Sequence, residues 1–152
     1  MKVKIEDRQK YLKVSKRLVT SQVKAILSKQ IIDCDEVAIY FVDDNEIKKL
    51  HKKLFNDLSA TDTISIPYDS PSDRTSGYCF LGEVFVSTQT AIKYAKMHDI
   101  DPYLEATLYM VHGLLHLIGY DDILEKDRLI MRKKEKSCMN HLKRMQLLTV
   151  KK

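Results

Sequence analysis

Two histidines four residues apart, His112 and His116, are followed by Gly119 and by two acids in the run His112-Gly113-Leu114-Leu115-His116-Leu117-Ile118-Gly119-Tyr120-Asp121-Asp122. On a helix, residues at that spacing lie one above the other on the same face, so a nitrogen from each imidazole can point at one ion. Glycine accepts the left-handed backbone that commonly ends a helix, so Gly119 predicts a turn that brings Asp121 or Asp122 back toward the same point. Chance alone gives roughly one such histidine pair in six chains of this composition, and roughly one in a thousand once the glycine and the acid are also required. Leu108, Val111, Leu114, Leu115, Leu117 and Ile118 predict a largely buried apolar helix, in which unpartnered imidazoles would be costly to desolvate.

Two neutral imidazoles and one carboxylate suit a single zinc ion, with nickel, iron or manganese as alternatives, and three protein ligands leave a position open for water. An ion held that way lowers the pKa of its water toward neutrality and polarises a phosphoryl or carbonyl oxygen, as hydrolysis requires. Gly113 stands where an HExxH metalloprotease carries its glutamate base, which disfavours peptide hydrolysis of that kind.

Such a helix needs elements to position it. Val3 to Glu6 predicts a short strand, and Lys10 to Ser28 an amphipathic helix with Leu12, Leu18, Val19, Val23, Ile26 and Leu27 near one face. Glu36 to Val42 is the clearest strand; Asp43, Asp44 and Asn45 after it are N-cap candidates for a basic helix to about Phe55. Thr63 to Ile66 and Phe80 to Val86 predict two more strands, with Tyr68 to Tyr78 as a loop rich in Ser, Pro, Asp and Gly. Ser87 caps a helix through about Met97, Asp101 with Pro102 starts the histidine-bearing helix, and a last helix runs from about Leu124 to Met145. This order predicts an α/β chain of the α+β kind. Residues 1–152 would form a single domain, a small mixed sheet with helices packed around it and the metal site on a helix and the loop after it.

The net charge of +5 is unevenly spread. From Leu124 to Lys152 there are ten Lys and Arg against three acids, whereas residues 1–123 carry sixteen against eighteen. Lys126, Arg128, Arg132, Lys133, Lys134, Lys136, Lys143 and Arg144, with Lys10, Lys13, Lys16, Arg17 and Lys24, could form a surface for phosphates, where the plain alternative is a solvated helix face. The absence of an 18-residue apolar stretch and of an apolar leader after Met1-Lys2-Val3-Lys4 predicts a cytoplasmic protein with no membrane partner. Cys34, Cys79 and Cys138 are odd in number, lack a CxxC pair and predict buried, reduced thiols.

The histidine run resembles the HGxLHLxGYDH signature of the YbeY family, bacterial metal-dependent endoribonucleases and ribosomal RNA maturation factors. Thr61-Asp62-Thr63-Ile64-Ser65-Ile66-Pro67 resembles that family's PTDVLSFP stretch, and Leu81-Gly82-Glu83-Val84-Phe85-Val86-Ser87 its LGDIxIS strand, with order and spacing kept from about residue 36 to residue 135. The resemblance implies one zinc ion and cleavage of single-stranded RNA. It also implies a role in maturing the small-subunit ribosomal RNA, which would make that RNA or the small ribosomal subunit the partner. His112, His116 and Asp122 take the places of the ligands and catalytic centre, with Asp121 as the neighbouring candidate whose competing role is to orient a ligand histidine.

Three positions depart from the family pattern. Asp122 replaces a third histidine, a tolerable exchange that adds negative charge, makes the ion a weaker Lewis acid and favours harder metals such as manganese. Phe55 replaces an arginine thought to assist at the phosphate, and phenylalanine has no charge to offer there. Ala60 replaces a proline. Arg74 or the lysines at 48, 49, 52 and 53 are candidates to supply the missing cation. Asp62, beside a strand, reads as a turn cap or a residue facing the site, and Glu83 is a second acid on a strand. His51 and His98 read as surface residues, and His141 sits in the basic tail.

Three functions fit these residues. The first is a zinc-dependent, single-strand-specific endoribonuclease acting in 16S ribosomal RNA 3′-end maturation and ribosome quality control. The second is a non-catalytic RNA-binding ribosome assembly factor with a structural metal. The third is a metal-dependent hydrolase of a non-nucleic substrate, since HxxxHxxGxxD also resembles the metzincin ligand pattern.

Overall fold

The computed structural model describes residues 1–59, 61–72 and 77–148. Among them, β1 (Lys2–Asp7), α1 (Lys16–Lys29), β2 (Glu36–Val42), α2 (Asp44–Phe55), β3 (Thr63–Pro67), β4 (Phe80–Ser87), α3 (Thr88–His98), α4 (Pro102–Leu117) and α5 (Glu125–Arg144) follow in chain order. Ala60 and Arg74 lie outside the described residues.

The sheet runs β1-β2-β4-β3. β2 is parallel to both its neighbours, and β3 lies antiparallel to β4 at the far edge, so the sheet is mixed as expected. The sequence of β2 explains its central place: β-branched and aromatic residues fill it, and every residue after Glu36 is buried. Alternation along the strands sends Val37, Ile39, Phe41, Val84 and Val86 to one face, against α1, α4 and α5. Ala38, Tyr40, Val42, Ile64 and Phe85 go to the other face with Ile47 of α2, where Tyr40 and Phe85 stack with ring centroids 4.6 Å apart. β4 has one residue more than β2 between the pairs Glu36–Phe80 and Ala38–Glu83. Gly82, at φ +150°, takes up the excess as a bulge where a side chain would meet the Ile66 carbonyl oxygen at 2.4 Å.

The capping residues act as their types dictate. Asp43 accepts from the Glu46 N–H at 2.9 Å, Ser87 from Thr90 at 3.2 Å and Asp101 from Tyr103 at 2.8 Å. The first helix is shorter than its apolar spacing predicts. The Gln9 side-chain oxygen accepts from the N–H groups of Tyr11 and Leu12 at 2.8 and 2.9 Å, which fixes a turn there, and Ser15 caps a helix that begins only at Lys16. Leu12 still reaches the core, from the turn rather than the helix. All three cysteines are buried. No helix among the described residues is long and apolar enough to cross a membrane. α1 and α5 pack against one another, so the two groups of basic residues lie on or next to neighbouring helices.

Candidate metal centre

The histidine-bearing helix is pressed closely onto the sheet. A Cβ at Gly113 would lie 2.4 Å from Val84 Cγ1, 3.0 Å from Thr63 Cγ2 and 3.1 Å from Ser65 Oγ, so only glycine permits this approach. Two hydroxyls hold it there: Thr63 donates to the Tyr109 carbonyl at 3.2 Å and Ser65 to the Gly113 carbonyl at 3.1 Å. A glutamate at 113 would be driven into Val84, which is the physical reason that no metalloprotease-type base stands at this position.

With Gly113 against the sheet, His112 and His116 come to the flank of α4, half-buried at 18% and 28% side-chain exposure. The helix then ends as the sequence predicts. Gly119, at φ +110°, gives its N–H to the His116 carbonyl at 3.1 Å, and Tyr120 gives its own to Leu115 at 3.0 Å, the paired bonds of a Schellman motif. The turn returns Asp122 to the histidines. Its Oδ2 lies 3.3 Å from His112 Nε2, its Oδ1 3.4 Å from His116 Nε2, and the two Nε2 atoms are 3.1 Å apart. Ligand atoms on a tetrahedral zinc, bound at about 2.0–2.2 Å, are spaced by roughly 3.4 Å, so both the donor types and their separations fit a divalent ion. Among the described residues this is the group of histidine and acid side chains whose donor atoms converge in this way, all within 4.8 Å of one another.

Behind the histidines stands a residue that the motif does not contain. Glu135 of α5, only 5% exposed, places Oε2 2.6 Å from His112 Nδ1. A carboxylate only accepts, so Nδ1 carries a proton in this contact, and the neutral ring then has Nε2 to offer toward His116 and Asp122. Arg132 Nη1 holds both Glu135 oxygens at 2.8 and 2.9 Å. Burial pushes the Glu135 carboxyl up, but the bonds from His112 and Arg132 outweigh it and hold the group below the usual carboxylate range. Burial likewise lowers His112, and the bond and charge of Glu135, with Asp122 and Asp62 behind, raise it above an ordinary imidazole. A signal was available in the sequence: Glu135 sits in line with Met131, Cys138 and Leu142, the buried stripe of α5, where an acid needs a partner.

Two clefts meet at His112 and Asp122. One, of about 420 Å³, runs past His116 to Phe55, His51 and Ile123; the other, of about 470 Å³, is lined by Asp62, Glu105, Arg132 and Glu135. Asp121 accepts the Asp122 N–H at 2.8 Å and lines the first cleft, while the orienting role considered for it falls to Glu135. Asp62 is tied to β4 through its carbonyl, which accepts the Ser87 N–H at 2.9 Å, and its side chain lines the second cleft. Glu83 accepts the Tyr68 hydroxyl at 2.6 Å. His98 is exposed beside Tyr94, as expected of a surface residue. His51 lies at the surface as expected, half-buried, and lines the same cleft as the paired histidines, because α2 brings the face bearing it to that cleft.

The family model described as endoribonuclease YbeY matches residues 4–143. The chain belongs to the YbeY family. Endoribonuclease YbeY of Protochlamydia amoebophila is 50% identical over 145 residues, covering 95% of each chain. That of Chlamydia felis is 37% identical over 142 residues, covering 91% of this chain and 89% of its own. The solution structure of a Thermotoga maritima protein, 23% identical, superposes with a TM-score of 0.65 over 93% of this chain and 89% of its own, so the fold is shared as well. Membership weighs against a hydrolase of non-nucleic substrates.

Proposed function

We propose that the chain is a zinc-dependent endoribonuclease that cleaves single-stranded RNA, acting in the cytoplasm in 3′-end maturation of 16S ribosomal RNA and in ribosome quality control. His112, His116 and Asp122 are its metal ligands and catalytic centre. The observation that carries this reading is the convergence of three donor atoms within 4.8 Å, beside a cleft, in a chain of an endoribonuclease family.

When bound, a divalent ion supplies an acidified water and a Lewis acid for a phosphoryl oxygen. The protein's own contribution is orientation. Glu135 holds the His112 proton on Nδ1, so that the ring presents a lone pair without needing to rearrange. The bonds from His112 and Arg132 hold Glu135 below the usual carboxylate range. Asp122 contributes charge as well as an oxygen, so the site tolerates a harder metal such as manganese in place of zinc more readily than three imidazoles would. The Thr63 and Ser65 hydroxyls are engaged with the α4 backbone, so they fix the cleft wall rather than serve as a general base.

A second reading, a non-catalytic RNA-binding assembly factor on the small ribosomal subunit with a structural metal, is favoured by one observation. The cleft holds the neutral ring of Phe55 at the position where the resemblance implies an arginine. Cleavage of a single-stranded RNA by zinc-loaded protein, with His116→Ala purified identically, separates the two. Cleavage lost in the variant supports the nuclease; equal cleavage by both overturns it; retained RNA binding without cleavage selects the assembly factor.

A further inference from the structure

The end of α2 presents aromatic surface to the cleft at the metal centre. Phe55 is 61% exposed although it lines that cleft, an unusual placement for a ring this large. His51, one turn earlier, meets it edge-on with centroids 5.4 Å apart and an interplanar angle of 64°. The histidine is itself fixed: its Nδ1 lies 2.9 Å from the Ser59 carbonyl, which can only accept, and Ser59 is held in turn by Asp57 through backbone and hydroxyl bonds of 2.8 and 2.7 Å. The helix stops at Asn56, whose left-handed backbone sends the N–H to the Lys52 carbonyl at 2.8 Å, so Phe55 is the last helical residue and its position is set by the cap. Lys48, Lys49, Lys52 and Lys53 are exposed on the same helix.

A neutral aromatic ring at the mouth of a cleft, on a helix carrying four exposed lysines, matches what a single strand of nucleic acid presents, a flat base on a charged backbone. Base stacking is largely indifferent to base identity and needs no charge from the ring, so Phe55 has a function there that does not depend on replacing an arginine.

We propose that Phe55, braced by His51, is a stacking platform for one nucleobase of single-stranded RNA beside the phosphate at the His112–His116–Asp122 centre. The lysines of α2 contact the flanking phosphates. The proposal rests on the RNA reading of the preceding subsection and specifies which part of the strand the cleft takes.

The chain contains no tryptophan, which makes the test direct. Phe55→Trp introduces a single indole at the platform, and Met97→Trp, at a position 80% exposed on α3 and lining neither cleft, is the control. Zinc-loaded protein is titrated with a short fluorescein-labelled single-stranded RNA and with the same oligonucleotide bearing abasic sites, reading indole fluorescence and RNA polarisation together. The platform predicts quenching at position 55 by the RNA but not by the abasic strand, no quenching at 97, and a loss of RNA affinity of about tenfold in Phe55→Ala that Phe55→Leu does not restore and Phe55→Tyr does. Equal RNA affinity in Phe55→Ala, with no quenching at 55, overturns the platform and leaves the RNA reading standing. Absence of RNA binding by the unaltered protein overturns both.

Discussion

The carboxylate of Glu135 lies 2.6 Å from His112 Nδ1, on the opposite side of the imidazole from Asp122 and His116. One side chain of α5 therefore decides which nitrogen of an α4 histidine is free to bind. Glu135→Ala is expected to lower zinc affinity by about 10–100-fold, the usual cost of losing such a partner, with Glu135→Gln intermediate because an amide oxygen still accepts but carries no charge. Competition titration against a chromophoric chelator reads the affinity, and unchanged binding in Glu135→Ala would remove this residue from the site.

Asp122 and Asp121 are adjacent in sequence but differ in placement, and single substitutions separate them. Asp122→Ala is expected to lose bound zinc after dialysis, whereas Asp121→Ala retains one ion per chain because its carboxylate bonds the Asp122 backbone instead. Full zinc in Asp122→Ala, read by elemental analysis, would sink the ligand assignment.

Gly113→Ala would ordinarily strengthen a helix by about 1 kcal/mol. Here the added carbon meets Val84 at 2.4 Å, so the expected outcome is the reverse, a loss of roughly 1–3 kcal/mol in urea unfolding. Lower zinc affinity should accompany it as α4 lifts from the sheet. A neutral or stabilising result would contradict the close seating of the helix.

Metal binding should raise the melting temperature. At a free zinc concentration about 100 times Kd, linkage stabilises a folded chain by about 2.7 kcal/mol, which for a chain of this size corresponds to roughly 5–10 °C. The rise should be present in the unaltered protein, absent in His116→Ala and reversed by chelation. An equal rise in His116→Ala, followed by differential scanning fluorimetry, would place the ion elsewhere.

The pH dependence of stability has a separate source, Asp44. Burial raises its pKa, but bonds from Lys93 at 3.0 Å, Ser87 at 3.1 Å and Thr90 at 3.2 Å outweigh that effect and hold it below the usual carboxylate range. A depressed carboxylate contributes stability that is complete above its unfolded pKa, near about 4, and lost as pH falls through the folded value. Asp44→Asn should therefore cost about 1–3 kcal/mol at pH 7 and progressively less in acid. A gap between the two proteins that is constant from pH 7 to pH 3 in denaturant titrations would show that the charge of Asp44 is not involved.

The convergence of His112, His116 and Asp122 was legible because it is local. Helical spacing aligns His112 with His116, and Gly119 announces the turn that returns Asp122. The caps at Asp43, Ser87 and Asp101 were legible for the same reason, since each depends on a bond within a few residues, and the strands showed through their own apolar, β-branched runs although their partners lie far along the chain. The start of α1 was not, because a polar side chain, Gln9, organises the preceding turn while Leu12 keeps a helix-like apolar position. Glu135 and His51 were missed because each reaches the cleft only through tertiary packing. Neither lies in the motif, and in the run Arg132-Lys133-Lys134-Glu135-Lys136 an acid among basic residues looks like a solvated charge until the buried stripe is traced through it.

The three converging donors come from one stretch of chain, residues 112–122, while the group that sets the His112 tautomer comes from the next helix. Capture of an ion and preparation of the ligand thus depend on different segments. Lifting the middle of α5 away from α4 would leave the backbone of residues 112–122 in place and free the His112 ring to rotate or to move its proton to Nε2, where it would block the very lone pair that the ion needs. Undocking of α5 would act as a disconnect between holding the metal and holding it well, with the backbone that carries the ligand set unmoved.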